Sequence, residues 1–182
     1  MKDISMHVMD IAQNSISAGA SQLEIIIDED VDNDNYSVII KDNGRGMSRE
    51  FVAKVTDPYT TTRTTRKIGL GIPLLKQNVE RTDGEFRIDS EEGVGTTIFA
   101  SFVLTHPDRL PLGDIAGTVV LLTSANPELN ILYRHKTNTG EYIYDTIEIN
   151  STLEGISITE LSVIRFLKEM INENLHSIGI LR

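Results

Sequence analysis

The stretch Lys41-Asp42-Asn43-Gly44-Arg45-Gly46-Met47 constrains this chain more than any other. It follows an alternating, β-branched run, Tyr36 to Lys41, and so reads as an aspartate delivered from a strand end into a turn built on two glycines. Glycine takes positive φ without a Cβ clash and lets another group approach the backbone closely. Such a turn can be one wall of a pocket, with the Asp42 carboxylate accepting from a flat ligand's amino group. Asp-Asn-Gly is equally an ordinary tight-turn sequence. The neighbouring segments decide between the two.

Upstream, Ile4, Val8 and Ile11, continued by Ser15 and widened by Met9, Ala12 and Ile16, follow helical spacing and predict a helix over 3–17. His7, Asp10 and Asn14 fall together on another face of it. That face is either solvated or a pocket wall, in which Asn14 offers a carbonyl oxygen to a hard cation and Asp10 orients water. Gln22 to Asp28 alternates as a strand, Glu29 to Asn35 is an acidic turn, and Tyr36 to Lys41 returns as the hairpin partner.

Downstream, Ser48 is placed to cap a short helix to Val55. Asp57 to Lys67, DPYTTTRTTRK, has no apolar periodicity and gathers Arg63, Arg66 and Lys67 in an otherwise acidic chain. It reads as a solvated loop or as a lid over phosphates. Gly69-Leu70-Gly71 opens an apolar helix, Ile72 to Arg81, with Pro73 in its first turn. Free amides at that helix start suit an anion, although the dinucleotide fingerprint and the P-loop are both missing. Gly84 to Ser90 and Thr96 to Leu104 read as strands around the turn Glu91-Glu92-Gly93-Val94-Gly95.

Thr105 to Asp114 reads as a connector. Beyond it, Thr118 to Thr123, Ile131 to Lys136 and Tyr142 to Ile149 read as three strands, with Asn138-Thr139-Gly140 turning between the last two. Ser157 and Glu160 have capping-box spacing and open a final helix to about Leu175.

Composition narrows the function classes. The 182 residues carry 27 acidic against 17 basic side chains, a formal charge of -10, which disfavours nucleic acid or an anionic membrane as the main partner. There is no cysteine, which excludes disulfides and thiolate metal sites, and the four histidines are scattered without metal-ligand spacing. No apolar run is long enough to span a bilayer, and the expected location is cytoplasmic.

Four separated signals occur in order: Asp10-x-x-x-Asn14, Asp42-x-Gly44-x-Gly46, Gly69-x-Gly71 and Gly93-x-Gly95-Thr96-Thr97. Together they resemble the boxes of the GHKL superfamily, the ATP-binding fold of gyrase B, Hsp-type chaperones, histidine kinases and mismatch-repair MutL proteins. The similarity covers about residues 1–104. DPYTTTRTTRKIGLGIPLLKQ is closest in style to the lid and second glycine box of histidine kinases. The resemblance implies a two-layer α/β sandwich with a mixed sheet, the Bergerat fold, over 1–104. Residues 105–182 are then a small C-terminal α+β appendage of unassigned role.

Carried over by position, the resemblance implies ATP with Mg2+ as the ligands. Asn14 would hold Mg2+ at the phosphates. Asp42 would accept from the adenine amine, helped by Gly44, Gly46, Met47 and Thr96 or Thr97. Gly69, Leu70 and Gly71 would hold the phosphates, assisted by Thr62, Arg63 and Lys67 of the lid. An ionised aspartate only accepts, which suits adenine's amine and opposes guanine's carbonyl. Asp10 stands where hydrolysing members carry a catalytic glutamate. One methylene fewer shortens its reach by ~1.5 Å, and misplacement on that scale can cost ~100-fold.

The chain begins almost at its first box, so a helical hairpin carrying a phosphoacceptor histidine is not expected in it. MHVMDIAQNSISAGA and HPDRLPLGD resemble segments of small ATPases encoded beside iron-hydrogenase subunits, which suggests a redox or hydrogenase-associated protein partner. The expectation is a kinase-like protein that transfers or hydrolyses the γ-phosphate to regulate a partner, with a homodimer allowed. The alternative is a non-catalytic, nucleotide-gated interaction module. A DNA clamp of the mismatch-repair or gyrase kind is disfavoured by the acidic charge, the kinase-like lid and the short C-terminal part.

Overall fold

Strict alternation in two consecutive runs builds the centre of the molecule. In the computed structural model, which describes residues 1–56 and 71–181, β1 (Gln22–Asp30) buries Leu23, Ile25 and Ile27, and β2 (Asn35–Asp42) buries Tyr36, Val38 and Ile40. The two pair antiparallel, with Leu23 opposite Asp42. The strand therefore ends where its side chains change from core to site.

Beside β2 runs β4 (Gly95–Val103), with Ile98, Ala100 and Phe102 in the core, and outside it β3 (Phe86–Glu91). On the other flank β5 (Asn130–Thr137) pairs parallel with β1, and β6 (Gly140–Asp145) closes that edge. The sheet order is β3-β4-β2-β1-β5-β6, a mixed sheet with one parallel pair. Helices α1 (Ile4–Ser17), α3 (Gly71–Arg81), α4 (Ile115–Ala125) and α6 (Leu161–Ser177) form the second layer. Of two short helices, α2 (Arg49–Val55) follows β2 after the turn over 43–48, and α5 (Thr146–Thr152) follows β6 directly. The expected two-layer α/β sandwich is what forms. No helix among the described residues is long and apolar enough to cross a membrane.

Several elements differ from expectation. Residues 118–123 form no strand but the middle of α4, started by Asp114, whose Oδ1 accepts from Gly117 N at 2.9 Å. Most of this helix is buried, and its exposed side carries Leu121 and no charged residue, so the helical period is weak in its sequence. The run from Tyr142 to Ile149 breaks at Asp145, whose carboxylate accepts from Ile147 N at 2.8 Å and starts α5. The Ser157–Glu160 capping box does not form: Ser157 Oγ bonds Thr159 Oγ1 at 2.7 Å, and Glu160 makes no side-chain cap bond to α6.

The C-terminal tail is tied to the sheet by buried polar groups. Glu29 and His135, 1% and 0% exposed, bond at 2.8 Å through Oε1 and Nε2, and Tyr133 Oη lies 2.6 Å from His135 Nδ1. Glu29 Oε2 accepts from Leu181 N at 2.8 Å, and Thr137 and Thr139 both donate to the Ile178 carbonyl. In this cluster the Glu29 carboxylate and both ring nitrogens of His135 are paired, as low dielectric demands. Burial, with Tyr36 and Glu29 nearby, holds the Tyr133 phenol well above its ordinary range.

Candidate functional site

The turn after β2 is held from two sides. Asn43 Oδ1 accepts from Ser21 N and Gln22 N, both at 2.9 Å, and Arg45 N donates to the Ala18 carbonyl at 3.0 Å, so the turn is anchored to the end of α1 and the start of β1. From the other side Gly93 N donates to Arg45 O at 2.8 Å, and Met47 N to Ser90 Oγ at 2.9 Å. Two glycines allow this crossing. Gly46 sits at φ 66°, where a Cβ would overlap the Glu91 carbonyl, and Gly95 at φ 140°, where a Cβ would overlap the carbonyl of Asp42.

This anchoring fixes Asp42. Its Oδ2 accepts from Ser15 Oγ at 2.6 Å and its Oδ1 from Gly44 N at 2.9 Å. Each oxygen keeps capacity for a further donor. Asp42 stands in register with Thr96 of β4, whose Oγ1 is 2.8 Å from Ser90 Oγ. Beside them opens a cavity of about 530 Å³ whose walls include Asn14 and Ser15 of α1, Asp42, Gly46, Met47 and Thr96. Its apolar lining comes from Ile11, Phe51, Val55, Ile72 and Ile98. Apolar walls with a few convergent polar groups are the make-up of a small-ligand site.

Of the predicted residues, Asn14, Asp42, Gly46, Met47 and Thr96 come together around the cavity, with Gly44 buried directly behind Asp42. Thr97 does not join them. It pairs with Lys41 and Asp89, and alternation turns it to the opposite face of the sheet. Asp10 also stays off the cavity wall. It packs against the first residue of α3, where a Cβ on Gly71 would lie 2.8 Å from Asp10 Cβ and 3.1 Å from its Oδ2. Thr62, Arg63, Lys67, Gly69 and Leu70, with the lid they belong to, lie outside the described residues.

The face of α1 that carries Asp10 and Asn14 is an interior seam. His7, 1% exposed, has Nε2 2.9 Å from Asn78 Nδ2 of α3, and its Nδ1 is buried. Burial pushes the His7 imidazole down to about 4. One turn beyond Asp10, Asn14 Nδ2 is buried and has no partner among the described residues.

An unpaired amide end at a cavity wall asks for a ligand. The amide's orientation is a matter of hydrogen bonding, so the same end can present its carbonyl oxygen to a cation. No group of three or more carboxylates or histidines among the described residues could hold a metal by itself. Asn14 is thus a side chain of this wall with an unpaired polar end among the described residues.

Two residues of the site were missed in the sequence. Ser15 falls on the apolar face of α1 by sequence spacing, and a hydroxyl on that face is the one signal of its polar partner. Ser90 alternates with Phe86 and Ile88 as a face-in residue of β3, yet its hydroxyl joins Met47 N, Gly95 O and Thr96 Oγ1.

Comparison with known proteins agrees with this geometry. Residues 2–108 match the family model described as histidine kinase-, DNA gyrase B-, and HSP90-like ATPase. A protein named as a sensor protein of Shewanella frigidimarina is 35% identical over 103 residues, which is 56% of this chain and 16% of that one. A protein named as an NtrY-like sensor histidine kinase of Rickettsia conorii is 32% identical over 109 residues, 59% of this chain and 18% of that one. The chain thus spans less than a fifth of these relatives. Among solved structures, the N-terminal domain of a DNA repair protein superposes with a TM-score of 0.52 at 16% identity, covering 79% of this chain and 52% of that chain, a likeness of fold alone. With more than half of its length matched, the chain belongs to the histidine kinase-, DNA gyrase B- and HSP90-like ATPase family.

Proposed function

We propose that this protein binds ATP with Mg2+ in the Asp42 cavity and passes the γ-phosphoryl group to a protein partner or to water. The observation that carries the reading is the Asp42 carboxylate, held by Ser15 and Gly44 at the end of a cavity of nucleotide size. A carboxylate so fixed accepts the adenine amine without reorganising, and Thr96, held by Ser90, offers a hydroxyl beside it. On the α1 wall Asn14 would hold the Mg2+, which supplies charge neutralisation to the phosphates when bound.

In transfer, a bond forms between the γ-phosphorus and the partner's nucleophilic atom, the β–γ bridging P–O bond breaks, and ADP leaves. The proton of the attacking group goes to Asp10. A redox or hydrogenase-associated protein is the partner class to try first, on the likeness of MHVMDIAQNSISAGA and HPDRLPLGD. Incubation with γ-labelled ATP tests the reading: label on a partner, or free phosphate, is expected, and intact ATP under all conditions argues against it.

One observation favours a second reading. Asp10 packs on Gly71 and does not line the cavity. On that basis the protein is a nucleotide-gated module that docks its partner in the ATP state with little turnover. Tight binding of ATP that persists unhydrolysed selects the module. Phosphate release that Asp10→Ala abolishes selects the enzyme.

A further inference from the structure

The sheet has a second face that the helices leave open, and a groove of about 820 Å³ crosses it at the strand ends nearest Asp42. All six strands contribute lining residues, from Asp89 of β3 to Asp145 of β6. At ordinary strand spacing the groove crosses about 24 Å, the reach of about seven extended residues. It has exposed apolar side chains at both ends, Val94 at 63% and Ile147 at 57%.

Charge gives the groove its sign. Glu24, Asp89, Glu91 and Asp145 line it against Lys41 and Arg49. Lys41 stands opposite Glu24 in register, and Asp89 bonds Arg87 at 3.1 Å. Glu91 and Asp145 therefore face the groove without an ion pair among the described residues. The complementary occupant is cationic with apolar side chains at its ends.

Helix α2 is shared between this groove and the nucleotide cavity. Arg49 and Val52 line the groove, while Phe51 and Val55 line the cavity, and Asp42 and Thr96 belong to both walls. We propose that the open-face groove docks an extended, lysine- or arginine-bearing segment of a partner protein, and that α2 couples its occupancy to the nucleotide. The coupling rests on the ATP reading above, whereas the docking site does not. By linkage each ligand must change the other's affinity by the same factor.

The test is fluorescence anisotropy of a labelled nonapeptide of alternating lysine and leucine, titrated with the full chain. Glu91→Lys is expected to weaken binding at least tenfold and Ile147→Ser about fivefold, both at exposed positions. Glu173→Lys, on the exposed side of α6, should leave it unchanged within twofold. Equal weakening by Glu173→Lys marks general attraction to an acidic protein and overturns the site. A dimer in sedimentation that Ile147→Ser dissolves gives the groove to a second copy and overturns the partner.

Saturating ATP with Mg2+ is expected to shift the peptide's affinity at least threefold, with the reciprocal shift in ATP affinity by calorimetry. ATP that binds without moving the peptide overturns the coupling. Absence of ATP binding with the peptide curve and its variant pattern intact supports the docking site and sinks the ATP reading instead.

Discussion

Ser15 Oγ lies 2.6 Å from Asp42 Oδ2, a hydrogen bond across 27 residues of sequence that joins α1 to the end of β2. It sets which lone pairs of the carboxylate remain for a ligand. Asp42→Asn places an amide where an acceptor is needed, and ATP affinity measured by calorimetry is expected to fall at least about a hundredfold. Ser15→Ala removes one charge-assisted bond, worth about 1.5 kcal/mol, and should cost about tenfold. Unchanged affinity in Asp42→Asn would remove adenine from this end of the cavity.

Gly46 and Gly95 are expected to be intolerant of alanine for a reason of geometry, since both sit at positive φ with a carbonyl where the Cβ would go. Backbone strain and overlap together should lower stability by more than about 2 kcal/mol in each variant. Gly93, also at positive φ, has open space around it, so Gly93→Ala should cost less. Urea denaturation of the three variants checks the ordering.

His7 predicts an acid-side loss of stability. Its folded-state pKa is down at about 4, below the ordinary 6.5, because burial opposes the charge. The unfolded chain takes up the proton first, so stability is full above pH 6.5 and falls as the pH drops toward 4, by up to about 3 kcal/mol. His7→Gln should flatten that part of the profile. A wild-type minus variant difference that does not change between pH 7 and 4.5 contradicts the assignment.

The buried Glu29–His135 bond predicts a strongly context-dependent penalty. His135→Leu leaves Glu29 buried with the Leu181 amide as its remaining partner among the described residues, and should destabilise by about 3 kcal/mol or more. Adding Glu29→Leu should recover part of that loss. Denaturant melts of the single and double variants measure the recovery, and strict additivity would mean that the two side chains are not coupled.

Much of the site was legible because its parts are local. The Asp42 turn, the Ser48 cap and the Asn14 helix face each announce themselves within a few residues, and Ser48 Oγ does cap Phe51 N. What was not legible depends on the third dimension. Ser15 and Ser90 gain their roles from partners 27 and 43 residues away, Asp42 and Met47, which no local period encodes. Thr97 was indistinguishable from Thr96 until the register with Asp42 fixed the parity of β4. The valines of α4 read as a strand because the helix carries no charged residue, and Leu121 stands on its exposed side where a polar stripe would mark the period.

Asp10 carries the last prediction, because its position limits what it can do. It touches Gly71, and the missing Cβ there is what lets the carboxylate lie at the start of α3. If Asp10 is the base, Asp10→Asn should lower phosphate release or transfer about a hundredfold with ATP affinity unchanged, since only the proton acceptor is lost. Asp10→Glu lengthens the reach by ~1.5 Å and should keep or raise the rate if distance is what limits it. Gly71→Ala should act like a partial loss of Asp10, by pushing the carboxylate away without removing it. Turnover at the wild-type rate in both Asp10→Asn and Gly71→Ala, with ATP bound, would take the chemistry away from this residue.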